Sequence, residues 1–299
     1  MEKVNLTFLG TGNAIPTEKR NHTGILMNFK DESLLFDCGE GIQRQFKIAG
    51  ISPSKLTRLF ITHWHGDHIL GLPGLFQTLA MSNYNKKLRI YGPLGTKRFI
   101  AVIQELLMHI NINLEVHEFT EGVVVDEKEF RVEAKAMSHG IPSLAYSLII
   151  KEKVRLKKDK LKKLKLPNSP LIRKLIQGED IIFNKKKIKA SQIIWKEPQK
   201  KITLVLDTKM NNKAIELAKD ADLIIAESTF SESEAEKAAE YNHLTAKDAA
   251  TIAKKAKAKA LIITHISQRY EHNLQAIEKE ARKTFKNTRI AKDFDSLEL

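Results

Sequence analysis

Four side chains able to bind a metal fall within six positions of this chain: His63, His65, Asp67 and His68, in the stretch THWHGDHILG from Thr62 to Gly71. The whole chain has ten histidines, so three in one short segment are not easily explained by packing. Neutral imidazole nitrogens and carboxylate oxygens are ligands that zinc accepts, and a catalytic zinc keeps a position for water. His63 and His65, two residues apart, can face one ion, while Asp67 and His68 turn toward a second position beside it. Two ions about 3.5–4 Å apart can share a hydroxide and stabilise both oxygens of an in-line displacement at phosphorus. The order His-x-His-x-Asp-His is therefore a two-metal pattern.

Two ions need more ligands than this segment holds, and the others must be delivered by strand ends elsewhere. Three residues meet that condition. His139 follows an expected strand Phe130–Met137, Asp207 follows Ile202–Leu206, and His265 follows Ala260–Thr264. A histidine or aspartate at one strand terminus is an ordinary turn residue; three at strand ends that reach one sheet edge can complete a site.

The elements that position them follow an α/β rhythm of short β-branched or apolar runs between helical patterns. Expected strands are Val4–Leu9, Gly24–Phe29, Ser33–Phe36, Arg58–Thr62, Leu88–Tyr91, Val123–Val125, Phe130–Met137, Tyr146–Ile150, Ile202–Leu206, Leu223–Ala226 and Ala260–Thr264. Expected helices lie near Gly41–Ala49, Leu72–Met81, Lys97–His109, Asn212–Lys219, Glu232–Tyr241, Thr245–Ala256 and Asn273–Phe285. The histidine cluster thus falls on a loop from strand to helix.

Composition narrows the class. The 299 residues are 42% hydrophobic, enough for a substantial core. The opening MEKVNLTFLG is too short in its apolar run for a signal peptide, and no run reaches membrane-spanning length, so a cytoplasmic protein with no membrane partner is expected. The single cysteine, Cys38, excludes an intrachain disulfide and reads as a small buried hydrophobe. The net charge of +14 is local: Lys151 to Lys201 carries 18 Lys and Arg against 5 Asp and Glu, a net +13, and the remainder only +1. Charge so concentrated attracts a polyanion, with nucleic acid ahead of an anionic membrane and of a merely solvated helix. With few aromatics, and with Pro167 and Pro170 interrupting any helix, this segment reads as an arm over 151–200 inserted in one domain of residues 1–299.

Taken together, these residues resemble the metallo-β-lactamase superfamily. Further stretches look specifically like its ribonuclease Z family: FLGTG at Phe8–Gly12, PTEKRN at Pro16–Asn21, FDCGEG at Phe36–Gly41, NHLT at Asn242–Thr245 and HISQRY at His265–Tyr270. The resemblance implies an α/β fold, the αβ/βα four-layer sandwich, and a zinc-dependent endoribonuclease that removes 3′ trailers from precursor tRNA. It implies two zinc ions per chain, with manganese or another divalent ion as alternatives. One is held by His63, His65, His139 and Asp207, the other by Asp67, His68, Asp207 and His265. Asp37 supports the metal loop, Asp67 can take a proton from water, and His243 is placed to protonate the leaving oxygen. Arg20 and Asn21 match a loop near the acceptor-end pocket and, with Arg269 of the HISQRY stretch, are the expected substrate contacts; a homodimer is the family's common state. The chain departs from the family at Ala226-Glu227-Ser228-Thr229, where His-Glu-Ala-Thr is usual and only Glu227 remains to orient His243. It departs again at Leu206, where a glycine is usual, and in the arm, where Pro167-Asn168-Ser169-Pro170 stands for a glycine-proline element. A small-molecule phosphodiesterase, arylsulfatase or lactonase of the same fold shares the ligands but has no use for the basic arm.

Overall fold

Strands that read as unbroken apolar runs are covered on both sides in the computed structural model, which describes residues 2–108, 110–164, 166 and 169–299. Along Glu32–Phe36, Leu34 and Phe36 enter one apolar core and Leu35 another. Along Leu223–Glu227, Leu223 and Ile225 join that first core while Ile224 and Ala226 enter a third. Successive strand side chains point to opposite faces, so a strand apolar at every position needs a layer on each side.

Two seven-stranded sheets provide it. The first runs Ser296–Glu298, Asn5–Gly10, Gly24–Phe29, Glu32–Phe36, Arg58–Phe60, Lys87–Gly92, Asn113–Glu118. The second runs Thr288–Ile290, Leu261–Thr264, Leu223–Glu227, Lys200–Val205, Leu144–Ile150, Phe130–Ala136, Gly122–Asp126. They share the core of Phe8, Phe36, Phe60, Tyr146, Ile202 and their neighbours. Leu72–Met81 and Thr96–Leu106 cover the outer face of the first sheet, and Ala246–Lys255 and Leu274–Thr284 that of the second. This is the expected αβ/βα sandwich. The strands Glu32–Phe36, Arg58–Phe60, Lys87–Gly92 and Asn113–Glu118 are mutually parallel, as are Lys200–Val205, Leu223–Glu227, Leu261–Thr264 and Thr288–Ile290. Within each sheet, parallel strands bring their C-terminal ends to one edge, where the crevice of an open α/β sheet forms.

Three expectations change. The strand Asn113–Glu118 and the two short C-terminal strands have no counterpart among the expected elements. The expected helix Glu232–Tyr241 divides into a 3-10 turn Glu232–Glu234 and the helix Ala235–Glu240. Pro170 opens the helix Pro170–Ile176 instead of interrupting one, because a proline at the first helical position gives up an N–H that has no partner there; Pro167 and Asn168 lie outside the described residues.

The basic segment begins as a two-stranded antiparallel stalk, Lys153–Leu156 paired with Ile194–Glu197. Beyond it lie the helices Lys158–Leu164 and Pro170–Ile176 and the hairpin Ile181–Phe183/Lys186–Ile188, whose turn residues Asn184 and Lys185 both have positive φ. Leu166, Leu175, Ile181, Ile188, Ala190 and Ile193 form a small core of its own.

Candidate metal centre

The strand Arg58–Phe60 is shorter than expected because its continuation is captured sideways. Ile61 still donates to Tyr91 O, but the Thr62 N–H donates to Asp37 Oδ1 at 2.7 Å, which peels His63 away from the sheet. The second sheet meets it there: Leu144 N–H donates to Thr62 O at 2.9 Å and Tyr146 Oη to Ile61 O at 2.7 Å. Asp67 and His68 then sit on a one-turn helix, Gly66–Ile69, and not on the expected loop; Leu70 N–H to Gly66 O closes the turn. The turn lies tight against the Asp37 loop. A Cβ on Gly39 would come within 2.8 Å of Asp67 O, and one on Gly71 within 2.0 Å of Gly39 O.

Strand ends bring the remaining candidates to the same place. Asp37, Asp207 and His265 each follow a strand and each has positive φ (57°, 30° and 56°), a conformation that side chains other than glycine seldom adopt. The backbone turns inward at these residues, and the strain is held by the surrounding hydrogen bonds. His63, His65 and His139 come together as one group of ligand atoms, and Asp67, His68, Asp207 and His265 as a second. Asp207 Oδ2 lies 3.6 Å from His63 Nε2, 3.6 Å from His139 Nε2 and 3.3 Å from His68 Nε2, and so stands between them. Asp67 Oδ2 lies 3.2 Å from His265 Nε2 and 3.4 Å from His68 Nε2.

Two buried carboxylates, one from each sheet, fix the imidazole tautomers in parallel ways. Asp37 accepts from His68 Nδ1 at 2.7 Å and from Thr62 Oγ1 at 2.8 Å, and Thr62 in turn accepts from His63 Nδ1 at 3.0 Å. Glu227 accepts from His243 Nδ1 at 3.0 Å and from Thr229 Oγ1 at 2.5 Å, and Thr229 accepts from His265 Nδ1 at 2.8 Å. His139 Nδ1 donates to Asn242 O at 3.0 Å. With Nδ1 of His63, His68, His139 and His265 donating, the Nε2 of each of these four is left as a lone-pair donor directed by its partner, the usual arrangement around a bound metal. His65 presents Nδ1 instead, 3.0 Å from His139 Nε2.

The donor set fits divalent cations on two grounds. His63 Nε2, His68 Nε2 and Asp207 Oδ1 are buried without a hydrogen-bond partner, a costly state for polar atoms unless something else binds them. Three carboxylates also converge here. Burial acts against a charge on His68, yet Asp207, Asp67 and Asp37 outweigh it and raise the pKa of this imidazole well above its ordinary value. His63 and His65 are both pushed down, mainly by burial and then by neighbouring histidines, and so remain neutral ligands.

Beside this group lies His243, packed against His139 and parallel to His265. Burial alone lowers its pKa, but the Glu227 carboxylate overrides this and raises it to about 9. Glu227 thus suffices to hold the ring at the position where the chain has Ala226 in place of a further histidine. Thr229 and Thr62, which complete the two relays, are not among the residues that sequence reasoning selects; each follows or precedes a selected residue by one or two positions, and that proximity is the only signal.

The three expected substrate contacts diverge. Arg20 is only 2% exposed, donating to Thr11 Oγ1 at 2.7 Å and Ala291 O at 2.8 Å beside Glu271, and braces the loop from within. Asn21 is half-buried and holds Glu40 O at 2.8 Å, which makes it a loop staple. Arg269 stays accessible, over the Phe230 ring at 5.2 Å and bonded to Glu234 at 2.7 Å. Cys38 is fully buried, as expected.

Residues 4–194 match a family described as anti-Pycsar protein Apyc1. Over 299 residues the chain is 39% identical to ribonuclease Z of Methanothermobacter thermautotrophicus, covering 99% of this chain and 97% of that protein. It resembles the crystal structure of human tRNase Z, short form, with a TM-score of 0.72 and 28% identity over 98% of each chain. The metallo-β-lactamase fold protein YhfI from Bacillus subtilis matches with a TM-score of 0.73 over the full length of both chains, at 19% identity. Fold and site together define a metal-dependent hydrolase of the metallo-β-lactamase fold. Within that class the chain belongs to the ribonuclease Z family, with which it aligns through Asp207, His243 and His265, beyond the end of the Apyc1 match.

Proposed function

We propose that this protein is an endoribonuclease that cuts precursor tRNA at the 3′ trailer and leaves a 3′-hydroxyl on the tRNA. The observation that carries the reading is the convergence of seven metal-ligand side chains beside His243 at one edge of the sandwich. The basic arm and the full-length likeness to ribonuclease Z support a tRNA substrate over a small ester.

We assign His63, His65, His139 and Asp207 to one divalent ion and Asp67, His68, Asp207 and His265 to another, with zinc as the expected metal. Such a pair, when bound, brings hydroxide formation near neutral pH and offsets charge on the scissile phosphate. Asp67, a carboxylate despite its burial because His68 and His265 hold its pKa far down, is the acceptor for the proton of the attacking water. His243, anchored through Nδ1 on Glu227, whose carboxylate raises its pKa, is the group assigned to donate a proton from Nε2 to the leaving ribose oxygen. Asp37 and Glu227 supply no atoms to the reaction; they hold the imidazoles in the required tautomer.

The segment 151–200 is read as an RNA-binding arm of a single domain spanning 1–299, giving phosphate contacts that select a folded tRNA by shape. No helix among the described residues is long and apolar enough to cross a membrane, and a cytoplasmic location is proposed. A homodimer is supported by the exposed Val102, Leu106 and Met108 at one helix and its end, an apolar surface that a second copy would cover. The deciding experiment is cleavage of one precursor tRNA with end-mapping of both products, with and without chelator. A cut at the trailer junction leaving a 3′-hydroxyl, lost on chelation and restored by zinc, is expected; hydrolysis of a small diester alone would favour a small-molecule hydrolase.

A further inference from the structure

The stalk of the arm is fastened to the sandwich by one carboxylate far along the chain from it. Glu2 Oε1 is 2.9 Å from Lys153 Nζ and 2.8 Å from Arg155 Nη2, both on the outer stalk strand, and 3.1 Å from Lys30 Nζ, just past the strand Gly24–Phe29. Its backbone takes part as well: Glu2 N–H donates to Glu197 Oε1 on the other stalk strand at 2.8 Å, and Lys200 Nζ donates to Glu2 O at 2.8 Å. Glu129 from the second sheet holds Lys153 at 2.7 Å, and Glu197 holds Arg155 at 2.6 Å.

Lys153 and Arg155 are two residues apart on a strand, so their side chains leave the same face and both meet the body. Lys30, Lys153 and Arg155 are matched by Glu2, Glu129 and Glu197, one negative charge for each positive one. Lys153 and Arg155 are therefore already neutralised, Lys196 on the other stalk strand pairs with Glu152, and the arm's surplus charge lies beyond them. Elsewhere the arm packs on its own small core. A two-stranded ribbon is a compliant joint when nothing braces it, and Glu2 touches both of its strands and the sandwich at once.

We propose that Glu2 is a positioning residue for substrate binding: it locks the two-stranded stalk against the sandwich and so sets the angle at which the arm presents its lysines to a polyanionic RNA. The proposal rests on the reading of the arm as the RNA-binding element. The depressed pKa of Glu2 agrees with it, since the three cations outweigh the effect of burial.

The test uses the full-length, metal-loaded protein and its Glu2→Gln and Lys153→Gln variants, alone and combined. Three quantities are read: hydrogen exchange of the stalk amides in 153–156 and 194–197, steady-state constants on precursor tRNA, and hydrolysis of bis(p-nitrophenyl) phosphate. Faster stalk exchange is expected in each variant, with KM for precursor tRNA raised roughly tenfold through a lower effective concentration of the arm at its substrate. The kcat should stay within about twofold and the small diester should be hydrolysed as before, since no transition-state interaction is removed. The double variant should be no worse than the single ones, because both break the same lock. Unchanged stalk exchange overturns the proposal, as does faster exchange with an unchanged KM. A wild-type protein that leaves precursor tRNA uncut overturns the functional reading and this proposal with it, whereas a wild type that cuts and variants with normal KM sink the proposal alone.

Discussion

Every imidazole in the candidate centre except His65 has its Nδ1 occupied by a chosen acceptor, so the residue-scale chemistry is written in hydrogen bonds. His243 differs from the others in being offered as an acid. His243→Ala should retain metal and bind precursor tRNA nearly as well as wild type, while cleavage slows by about 10²–10⁴, the usual contribution of a general acid. A p-nitrophenyl phosphodiester, whose leaving group is stable as an anion, should lose far less. Equal losses on both substrates would place the damage at the metal centre. Asp207 is the other decisive residue, since Oδ2 lies between both ligand groups. Asp207→Ala should lose both ions and all cleavage, whereas His65→Ala should lose one. Elemental analysis of the purified variants, paired with activity, checks this; a His65→Ala protein with full metal and normal cleavage would remove His65 from the site.

At the scale of elements, the arm and the sandwich have separate cores, so each can be altered without dismantling the other. Removing the arm beyond its stalk, residues 157–193 replaced by a short turn, should leave small-diester hydrolysis intact and weaken precursor-tRNA binding. It should also flatten the salt dependence of that binding, by about 0.7–0.9 in the logarithmic slope for each phosphate that the arm no longer neutralises. Affinities measured across a salt series decide the matter, and an unchanged slope would return the segment to a solvated basic surface. The stalk clamp has its own pH signature. Glu2 is lowered from an ordinary value of 4.5 to about 2, because the hydrogen bonds and charges of Lys153, Lys30 and Arg155 exceed the opposing effect of burial. Its contribution is therefore complete above about pH 4.5 and is lost as pH falls toward 2.

For the whole molecule, Tyr146 makes one of the hydrogen bonds that join the two sheets at the site, and does so from a fully buried position. Tyr146→Phe leaves the Ile61 carbonyl without that donor, at a cost of about 1–3 kcal/mol. For a chain of this size that lowers the melting temperature by a few degrees, roughly 2–4 °C per kcal/mol. Calorimetry of the metal-loaded variant tests it, and an unchanged midpoint would show that water replaces the hydroxyl. Chelation should lower the midpoint of the wild type as well, since ions that bind only the folded protein stabilise it by mass action. A midpoint insensitive to chelator would mean that the orphaned Nε2 atoms are satisfied in another way.

Sequence alone determined the ligand types, the α/β rhythm of apolar runs between helical patterns and the local charge of the arm, because each is a property of residues close together in the chain. The helix Leu72–Met81 and the strand Gly24–Phe29 were legible to the residue for the same reason. Asn113–Glu118 does carry the alternation of a strand, with Leu114 and Val116 on the core side between Asn113, Glu115 and His117, but its place at the sheet edge comes only from pairing with Lys87–Gly92 and was closed to sequence. The fate of Arg20 was equally closed to sequence, since a guanidinium in a loop is buried or free only according to what the distant Ala291 and Glu271 place around it. Thr62 and Thr229 acquire their roles from partners 25 and 36 positions away, and Glu2 from partners 151 and 195 away. Such pairings exist only in the folded chain: the two threonine relays form when neighbouring parallel strands pair within one sheet, and the contacts of Arg20 and Glu2 form when segments distant in sequence pack together, so no local preference foretells them.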